Sequence, residues 1–480
     1  MTSPAPKTVG IIGAAVAGPT LALHLLTHPV LRARFRPILF DQSPPPASIP
    51  GSTPSSSFSS SAEESRQRAG ASVGLFSNGL HPLLSLNLGD AIKKHGHECD
   101  DLALWSSSSS GTALTHHKTI RNAFWSHDLQ LGTTYFERAG LQALLVERVH
   151  RLGGEVRWSK KAVTFEPVAG QQTRVTFEDG SHIDVDLLVG ADGGYSPVRR
   201  HVLALRDPAT AEERWPPHSM GATGIYGISS ADLLPEKHVP ERPFTESQCI
   251  FLPEGFLATG PCPGRMFRWD LILPESAAAG EDPAAAAFED DAHEPWQIAI
   301  IPGPYPKSTT ARILRSHKTL KHPFTGDFAT MLRTSDRIIH TPLRQRVWRE
   351  DEIQYSGGGN GNIVLIGDAA RLMLPTSGQG TGFAIEDATV LASMLLKHAA
   401  GASEDDAGFR EALEEYARVR RPRSDRMANV ASWVGSVGLG ATWYYKLMRY
   451  GSAVFTSGAD LKSKKAKDPW PMDGRFNVED

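Results

Sequence analysis

The sequence predicts an α/β fold with a Rossmann-like domain, a second domain that contains a mixed sheet, and helices at the C-terminus. Near the N-terminus an apolar strand leads through a glycine-containing turn into a helix, and the next strand ends at an acid, an order typical of Rossmann-like domains. After residue 362 another apolar strand precedes an acid, a glycine-rich loop and a helix. Short aromatic segments between residues 205 and 335 predict the second sheet.

The first strand, Thr8 to Ile12, turns into a helix that we expect from Pro19 to about Leu26. Gly13, Ala15 and Gly18 occupy the three glycine positions of the G-x-G-x-x-G dinucleotide fingerprint. The middle position is where the backbone approaches a pyrophosphate, so the methyl group of Ala15 predicts a slightly more distant phosphate.

The second strand, Arg36 to Phe40, ends at Asp41. An acid about 20 residues after the last glycine of the fingerprint is placed to accept hydrogen bonds from an adenosine ribose. We therefore predict that Asp41 binds a dinucleotide. The alternative is a helix that packs closely on the sheet without any ligand.

A third segment follows the strand predicted at residues 363 to 366. It consists of Asp368, a loop rich in glycine, and a helix that we expect to start near Phe383. Glycines leave backbone amides accessible, and the helix dipole adds positive potential at the helix start. This segment therefore predicts a site for an oxygen-rich ligand.

The stretch GDAARLMLPTSGQGTGFAIEDA, residues 367 to 388, resembles the second FAD-binding fingerprint of the FAD-dependent aromatic hydroxylases, the single-component class A flavoprotein monooxygenases. Their FAD-binding domain is glutathione-reductase-like. The resemblance implies that Asp368 holds a ribityl hydroxyl and that Gly380 and Thr381 face the pyrimidine end of the isoalloxazine. It also implies that Pro375 shields the flavin.

The same stretch departs from the family pattern at two positions. Arg371 and Leu372 stand where the family generally has His and Pro. The acid and the GQG loop are kept, so we expect a change in local loop shape and retention of flavin binding.

DLLVGADGGYSPVRR, residues 186 to 200, resembles the DG fingerprint of the same family. The resemblance implies that Asp192 orients cofactor hydroxyls, and the nearby arginines can meet phosphate. The alternative is an Asp-Gly turn followed by a capped helix.

Two further segments of the family have counterparts in this chain. Arg138 and Leu141 fit an R-x-x-L whose arginine lies over the flavin, in a helix predicted from Tyr135 to Val149. A surface arginine at the start of a helix is the alternative. Gly70 and Ala71 match the small residues that pass beside the flavin.

In the family the substrate lies between the second sheet and the flavin. Four aromatic residues of that region are candidates for the pocket, although aromatic residues on strands commonly belong to the core; they are Tyr226, Phe251, Phe267 and Trp269. We select Tyr226 as the residue that could assist deprotonation of a phenolic substrate.

Composition excludes several other functions. The chain has 480 residues, and 50 Lys+Arg nearly balance 53 Asp+Glu, so nothing suggests a nucleic-acid partner. Three separated cysteines predict neither a disulfide framework nor a Cys-rich metal site, and they favour a reducing, cytoplasmic location. No metal site is expected. Four histidines without metal-ligand spacing are expected at the surface; they are His116, His117, His317 and His322.

The N-terminus shows no cleavable signal. Residues 427 to 445 are the closest candidate for membrane association, but a buried or interfacial helix is the preferred interpretation. Residues 43 to 65 read as a flexible Pro and Ser insertion, and the low-complexity turn from Ser106 to Ser110 receives no chemical role. The oligomeric state stays open.

We expect the FAD-binding domain in three parts, with the substrate-binding segments between them. The FAD-binding parts are residues 1–105, 134–204 and 336–400; the substrate-binding parts are 106–133 and 205–335; helices and a tail fill 401–480.

The resemblance implies a monooxygenase that acts on an aromatic or other electron-rich small molecule. In the family NADPH or NADH reduces the flavin, O2 adds to give a C4a-hydroperoxide, and its distal oxygen passes to the substrate. Hydroxylation, epoxidation and Baeyer-Villiger oxidation stay open. Together with the Pro and Ser-rich insertions, the resemblance favours a eukaryotic enzyme of secondary metabolism, for example a fungal one, that acts on a phenol, indole or polyketide-like ring. Two alternatives are a flavin oxidoreductase that inserts no oxygen and a binding module without cofactor.

Overall fold

The computed structural model describes residues 5–45, 72–234, 245–279, 294–356, 361–399, 407–440 and 442–455. The predicted flavin contacts Gly70 and Ala71 lie outside these ranges, as do residues 46–65 of the Pro and Ser tract.

The first sheet of the described chain has the strand order β20-β21-β12-β1-β2-β8. Its strands are β1 (Lys7–Ile12), β2 (Phe35–Phe40), β8 (Glu155–Arg157), β12 (Leu187–Gly190), β20 (Gln354–Tyr355) and β21 (Ile363–Leu365). Neighbouring strands pair in parallel, except for β20, which is antiparallel to β21. β12 and β21 are buried along their whole length, as apolar strands of a sheet covered on both faces should be.

Three helices cover this sheet and shape the site described below. They are α1 (Ala17–Thr27), α5 (Arg138–Arg151) and α10 (Gly380–Met394). α10 starts at Gly380, three residues before the expected start, because the loop glycines join the first helical turn. The helix expected from Tyr135 starts only at Arg138. Residues 133 to 137 form β7 instead (Thr133–Glu137), which pairs with β3 (Ser72–Leu75), as suits its threonines and aromatics.

The second sheet is mixed and has the order β22-β19-β13-β16-β15-β14-β5-β6. Its strands are β5 (Asp101–Ser107), β6 (Leu114–Ile120), β13 (His218–Ser230), β14 (Glu246–Phe251), β15 (Phe256–Cys262), β16 (Met266–Pro274), β19 (Ser335–Val347) and β22 (Arg371–Leu372). β5 and β14 pair in parallel. The expected domain boundaries stay a proposal. Two of them, after residues 105 and 335, fall within β5 and β19, which both belong to this sheet.

The two faces of the mixed sheet have different neighbours. One face carries an apolar core that includes Trp269, Trp296 and Phe328. The other face packs on Leu374, just before Pro375, and on Ala431 of a C-terminal helix. That second face is therefore the one turned toward the predicted flavin loop.

The remaining regular elements connect or flank the two sheets. They are α2 (Pro29–Arg34), α3 (Ser77–Ser85), α4 (Gly89–His95), β4 (His97–Cys99), β9 (Ala162–Val168), β10 (Gln172–Phe177), β11 (His182–Val185), α6 (Pro197–Arg206), α7 (Ala211–Arg214), α8 (Lys307–His317), β17 (Lys321–His322), β18 (Gly326–Asp327) and α9 (Phe328–Arg333), with short 3-10 turns between them.

Two helices end the described chain, α11 (Ala407–Leu439) and α12 (Trp443–Phe455). They divide residues 427 to 445 between them, because Gly440 adopts the left-handed conformation with φ of 60° and interrupts the helix. Within the described ranges, none of the helices combines the length and the apolar character that crossing a bilayer requires.

One histidine differs from its expected surface position. His322 is buried, and its Nε2 lies 3.1 Å from the Thr259 hydroxyl. Burial lowers the pKa of His322 to about 3, so the ring is neutral. It acts as a hydrogen-bonded core residue.

Candidate active site

Four adjacent parallel strands bring the predicted cofactor residues to one edge of the first sheet. β2, β1, β12 and β21 are neighbours, and their C-terminal ends lead directly to Asp41, Gly13, Asp192 and Asp368. With strands about 4.8 Å apart, this row spans roughly 14 Å. The C-terminal edge of a parallel sheet is where such folds bind extended ligands.

The turn after β1 is built for close approach. Gly13 has φ of 110°, a conformation that glycine adopts without strain. A side chain at Gly18 would collide with the carbonyl oxygen of Gly13. The amide of Ala14 donates to Asp41 Oδ2 at 2.7 Å, so the predicted ribose acid lies against the turn. Ala15 is partly exposed there, and no side chain caps the start of α1.

Asp192 follows β12 and is placed at the sheet edge in a largely buried environment. Its Oδ2 accepts the amide of Val198 at 3.2 Å, while Oδ1 is buried without a partner in the described structure. Burial raises the pKa of Asp192 to about 6, against the opposing effect of hydrogen bonds from Ser196 and Val198. A buried oxygen without a donor is the position where a ligand hydroxyl would fit.

Arg199, one of the arginines that could meet phosphate, is instead buried, and both of its terminal nitrogens donate hydrogen bonds inside the protein. Its guanidinium donates to the carbonyl oxygens of Gly194 at 2.6 Å and Ala369 at 3.0 Å. It also lies over the Trp348 ring at 3.7 Å. Arg199 is thus wrong as a phosphate ligand, since its donors connect the turn after β12 to the turn after β21.

Asp368 is partly accessible, and its carboxylate makes no hydrogen bond to any residue that the structure describes. Burial raises the pKa of Asp368 above its usual value, and the charges of Arg371, Arg138 and Arg199 oppose this shift only in part. Arg371 is three residues away in sequence, but Arg138 and Arg199 come from distant segments, so tertiary structure adds their positive charge around this carboxylate.

Arg138 is the first residue of α5, and it is exposed. Its guanidinium has no partner among the described residues, although its charge acts on Asp368. One turn further along the same helix, Gln142 Nε2 donates to the carbonyl oxygen of Ala14 at 2.8 Å. α5 therefore positions Arg138 between the first and third fingerprints.

The start of α10 is open and lacks a capping side chain. Gly380 and Thr381 are partly accessible and Pro375 is exposed, whereas most of the helix after Thr381 is buried. Gln379 is fully buried, and neither atom of its side-chain amide has a partner within the described chain. The free backbone amides at the helix start can donate to acceptors on a ligand. The unpaired side-chain amide of Gln379 can both donate to and accept from it.

The departure at Arg371 has a structural explanation that sequence reasoning missed. Arg371 is buried, and its Nη1 donates to Asp387 Oδ2 at 2.6 Å. Asp387 also accepts the amide of Gly367 at 2.9 Å and Arg420 Nε at 2.7 Å. Burial raises the pKa of Asp387, but the charges of Arg371 and Arg420 outweigh this effect and lower it. The ion pairs thus hold the turn that carries Asp368.

A strip of partly exposed side chains crosses the mixed sheet on the face turned toward Leu374. Its members stand opposite one another on five adjacent strands; they are Tyr226, Asp270, Ala258, Cys249 and Leu104. Their neighbours along each strand are mostly buried. We call this row the sheet strip.

The structure separates the four aromatic pocket candidates. Tyr226 and Phe251 lie on the face of the sheet strip. Phe267 and Trp269 are buried in the core on the opposite face, so their prediction as pocket residues is wrong. The reason is the two-residue period of a strand. In β16 the alternation of apolar and charged residues could have identified Asp270 as the residue facing the pocket.

Most of the polar side chains in and beside the sheet strip were not among the predicted site residues. Asp270 forms an ion pair with Arg268, whose Nη2 donates to the Tyr135 hydroxyl at 3.1 Å. The Tyr226 hydroxyl lies over Gly224, where any side chain would collide with it. Burial raises the pKa of Tyr226 well above its usual value, so its phenol is a hydrogen-bond donor at neutral pH.

Comparisons with known proteins agree with this geometry. A family model described as FAD binding domain matches residues 326–431. Salicylate hydroxylase of Pseudomonas putida is 26% identical over 432 residues, which cover 88% of this chain and 84% of that protein. 3-hydroxybenzoate 6-hydroxylase 1 of Aquipseudomonas alcaligenes is 26% identical over 363 residues, 75% of this chain and 77% of that protein.

Solved structures share the fold. The structure of Klebsiella pneumoniae HpxO complexed with FAD and uric acid matches with a TM-score of 0.65 and 18% identity, and covers 95% of each chain. The sheet edge fits FAD on its own chemistry: an uncapped turn at Gly13, an unpaired Asp192 oxygen and the open start of α10 lie along one line of strand ends.

Proposed function

Since this chain belongs to the FAD-dependent monooxygenases of the aromatic hydroxylase type, we propose that it uses NAD(P)H and O2 to insert one oxygen atom into an aromatic or other electron-rich substrate. FAD is its cofactor, and when bound it supplies the electron transfer and oxygen activation. The observation that carries the proposal is that the cofactor edge of the first sheet adjoins the sheet strip through Leu374.

Each element of the chain then has a defined task. We assign Gly13, Ala15 and Gly18 to the pyrophosphate, and Asp41 to the adenosine ribose. Asp192 and Asp368 accept hydrogen bonds from cofactor hydroxyls, and the backbone amides of Gly380 and Thr381 face the flavin ring. The uncapped starts of α1 and α10 support these roles, because free amides favour negative charge.

The substrate side of the proposal concerns the sheet strip. Tyr226 donates a hydrogen bond to the substrate. Its raised pKa keeps the phenol protonated at neutral pH, so it is a donor and not a base. Pro375 and the apolar members of the strip exclude water from the reacting atoms. Relatives named for salicylate and 3-hydroxybenzoate, and the neighbour with uric acid, support a small aromatic substrate. We place the enzyme in secondary metabolism.

We propose a cytoplasmic location. The three cysteines, Cys99, Cys249 and Cys262, are all described and all free, as in a reducing compartment. Burial raises the pKa of Cys99 to about 11, which keeps that thiol protonated and unreactive.

The visible spectrum of the purified protein tests the cofactor, and NAD(P)H oxidation with a panel of aromatic compounds tests the reaction. A monooxygenase consumes one O2 per NAD(P)H and releases one oxygenated product. Flavin reduction without an oxygenated product would instead indicate an oxidoreductase of the same fold. A colourless protein that does not bind added FAD would reject both.

FAD affinity is expected to fall as the pH is lowered below about 6. The pKa of Asp192 is raised to about 6 in the free protein, and a cofactor hydroxyl bound to its carboxylate favours the charged form. Binding therefore releases a proton below this pH, and affinity falls by up to about tenfold per pH unit. Fluorescence titration with FAD between pH 5 and 7 measures the slope.

The variant Asp192→Asn is the control for this pH dependence. It should show a shallower slope, although not a flat one, because burial also raises the pKa of Asp368. Equal slopes in the variant and the wild type would contradict the role of Asp192.

Replacing Arg138 by alanine is expected to slow flavin reduction by about tenfold or to increase hydrogen peroxide release. The reason is the loss of positive charge beside Asp368, where reduction adds negative charge to the flavin. Stopped-flow reduction by NADPH measures the effect. Arg151→Ala is the matched control, since Arg151 ends the same helix in an exposed pair with Glu147. Identical kinetics in both variants would reject the role of Arg138.

A further inference from the structure

A cavity of about 340 Å³ lies at the far edge of the mixed sheet, between β5, β6 and β14 on one side and α12 on the other. Hydroxyl and cationic side chains dominate its polar lining. The residues that the argument uses are Ser106, Ser107, Ser109, His117, Lys446 and Arg449. Among the described residues no carboxylate lines the cavity, so Lys446 and Arg449 give this lining a positive charge.

The serine-rich turn explains part of this lining. Ser108 and Ser110 bond to each other at 3.2 Å within the β5–β6 hairpin, and Ser108 also accepts the amide of Ala113. Ser106, Ser107 and Ser109 line the cavity instead. The serine-rich segment around residues 106 to 110 therefore places three hydroxyl groups in the same lining as Lys446 and Arg449.

Arg449 is held in place, whereas Lys446 is exposed. Arg449 is 9% exposed, and its Nη1 donates to the carbonyl oxygen of Gly438 at 3.1 Å. Its guanidinium lies over the Phe251 ring at 5.2 Å. Lys446 is exposed one turn earlier on α12. His117 Nε2 lies 2.9 Å from the Ser106 hydroxyl, and burial together with His116 and Lys118 lowers its pKa.

The cavity adjoins the sheet strip. Phe251 lines the cavity and stands two residues after Cys249, a strip member on the same face of β14. Ser106 faces Phe251 across the strand pair, as Leu104 faces Cys249. Two residues along a strand span about 7 Å, so one molecule can occupy both places.

We propose that this cavity binds an oxyanion, a carboxylate or a phosphate, on one of the two organic molecules that meet the flavin. This rests on the proposed function and extends it. The source is either an acidic group of the aromatic substrate or a phosphate of the pyridine nucleotide. Serine hydroxyls beside the Lys446 ammonium, with the positive charge of Arg449 behind them, match the acceptors of both groups.

Lys446→Gln tests the proposal in FAD-loaded enzyme by equilibrium binding without turnover. One probe pair is 2-naphthoate and its neutral amide, and the other is NADP⁺ and NAD⁺. Affinity for naphthoate or for the nucleotides should fall by about tenfold or more, and that for the amide should be unchanged. Lys161→Gln, which removes an exposed lysine paired with Glu178, is the control.

The pattern of loss identifies the source. A loss for naphthoate alone assigns the substrate acid, and a loss for the nucleotides assigns a phosphate. Arg449→Lys should retain part of the affinity, because it keeps the charge. Equal affinities in Lys446→Gln and Lys161→Gln for every probe would overturn the proposal. Because binding is measured without catalysis, failure of oxygen insertion is a separate result.

Discussion

Replacing Asp368 by alanine is expected to yield a protein that purifies with little or no FAD. Its carboxylate makes no hydrogen bond to the described protein and lies at the end of β21 among three arginines. Hydrogen bonds to a charged group contribute about 1.5 to 3 kcal/mol each, so the loss of two should weaken FAD binding by at least about 100-fold. The ratio of flavin to protein absorbance after gel filtration measures the occupancy.

Asp351→Ala is the matched control. Asp351 is exposed and forms an ion pair with Arg349 at the surface. This variant should remain fully yellow. Full occupancy in Asp368→Ala would contradict the assignment of that residue, whereas a colourless Asp368→Ala with an unchanged unfolding midpoint of the apoprotein would support it.

Asp387→Asn is expected to destabilise the protein by about 3 to 5 kcal/mol, the typical result of removing one partner from a buried ion pair. Asp387 is fully buried and bonds to both Arg371 and Arg420. After the substitution, Arg371 loses its ion-pair partner, and Arg420 keeps its bond to Glu386. Urea unfolding of the apoprotein, followed by circular dichroism, measures the change in the free energy of unfolding.

Asp425→Asn is the control on a neighbouring helix. Asp425 pairs with Arg421 at 2.7 Å, but its side chain is 45% exposed, so its loss should cost at most about 1 kcal/mol. If Asp387→Asn lost no more stability than Asp425→Asn, the buried ion pairs would not be what holds this turn.

Asp368 and Asp387 lie 19 positions apart in sequence. Their substitutions should have different effects on FAD occupancy and on stability. Asp368→Ala should remove the cofactor and spare the fold, since its side chain bonds to no described residue. Asp387→Asn should affect both, because Asp387 accepts the amide of Gly367 and so positions the turn that presents Asp368. Comparing stability with FAD occupancy in both variants therefore separates binding from support.

The sequence alone predicted the α/β fold, the FAD cofactor and the similarity to FAD-dependent monooxygenases. These features are local, because each fingerprint is a strand, a turn and a helix start that are contiguous in the chain. For the same reason the strands β1, β2 and β21 could be placed within about one residue. The start of α10 was misplaced because its first turn consists of loop glycines, which have low helix propensity.

Only the tertiary structure decided which side chains act on one another across long separations. It placed the Arg199 guanidinium against backbone carbonyl oxygens, paired Arg371 with Asp387, and turned Trp269 away from the pocket. A linear pattern does not contain these results, because an arginine or an aromatic residue looks the same whether it faces a ligand or the core. Burial and pairing with distant residues make the difference, and both arise only when the sheets pack.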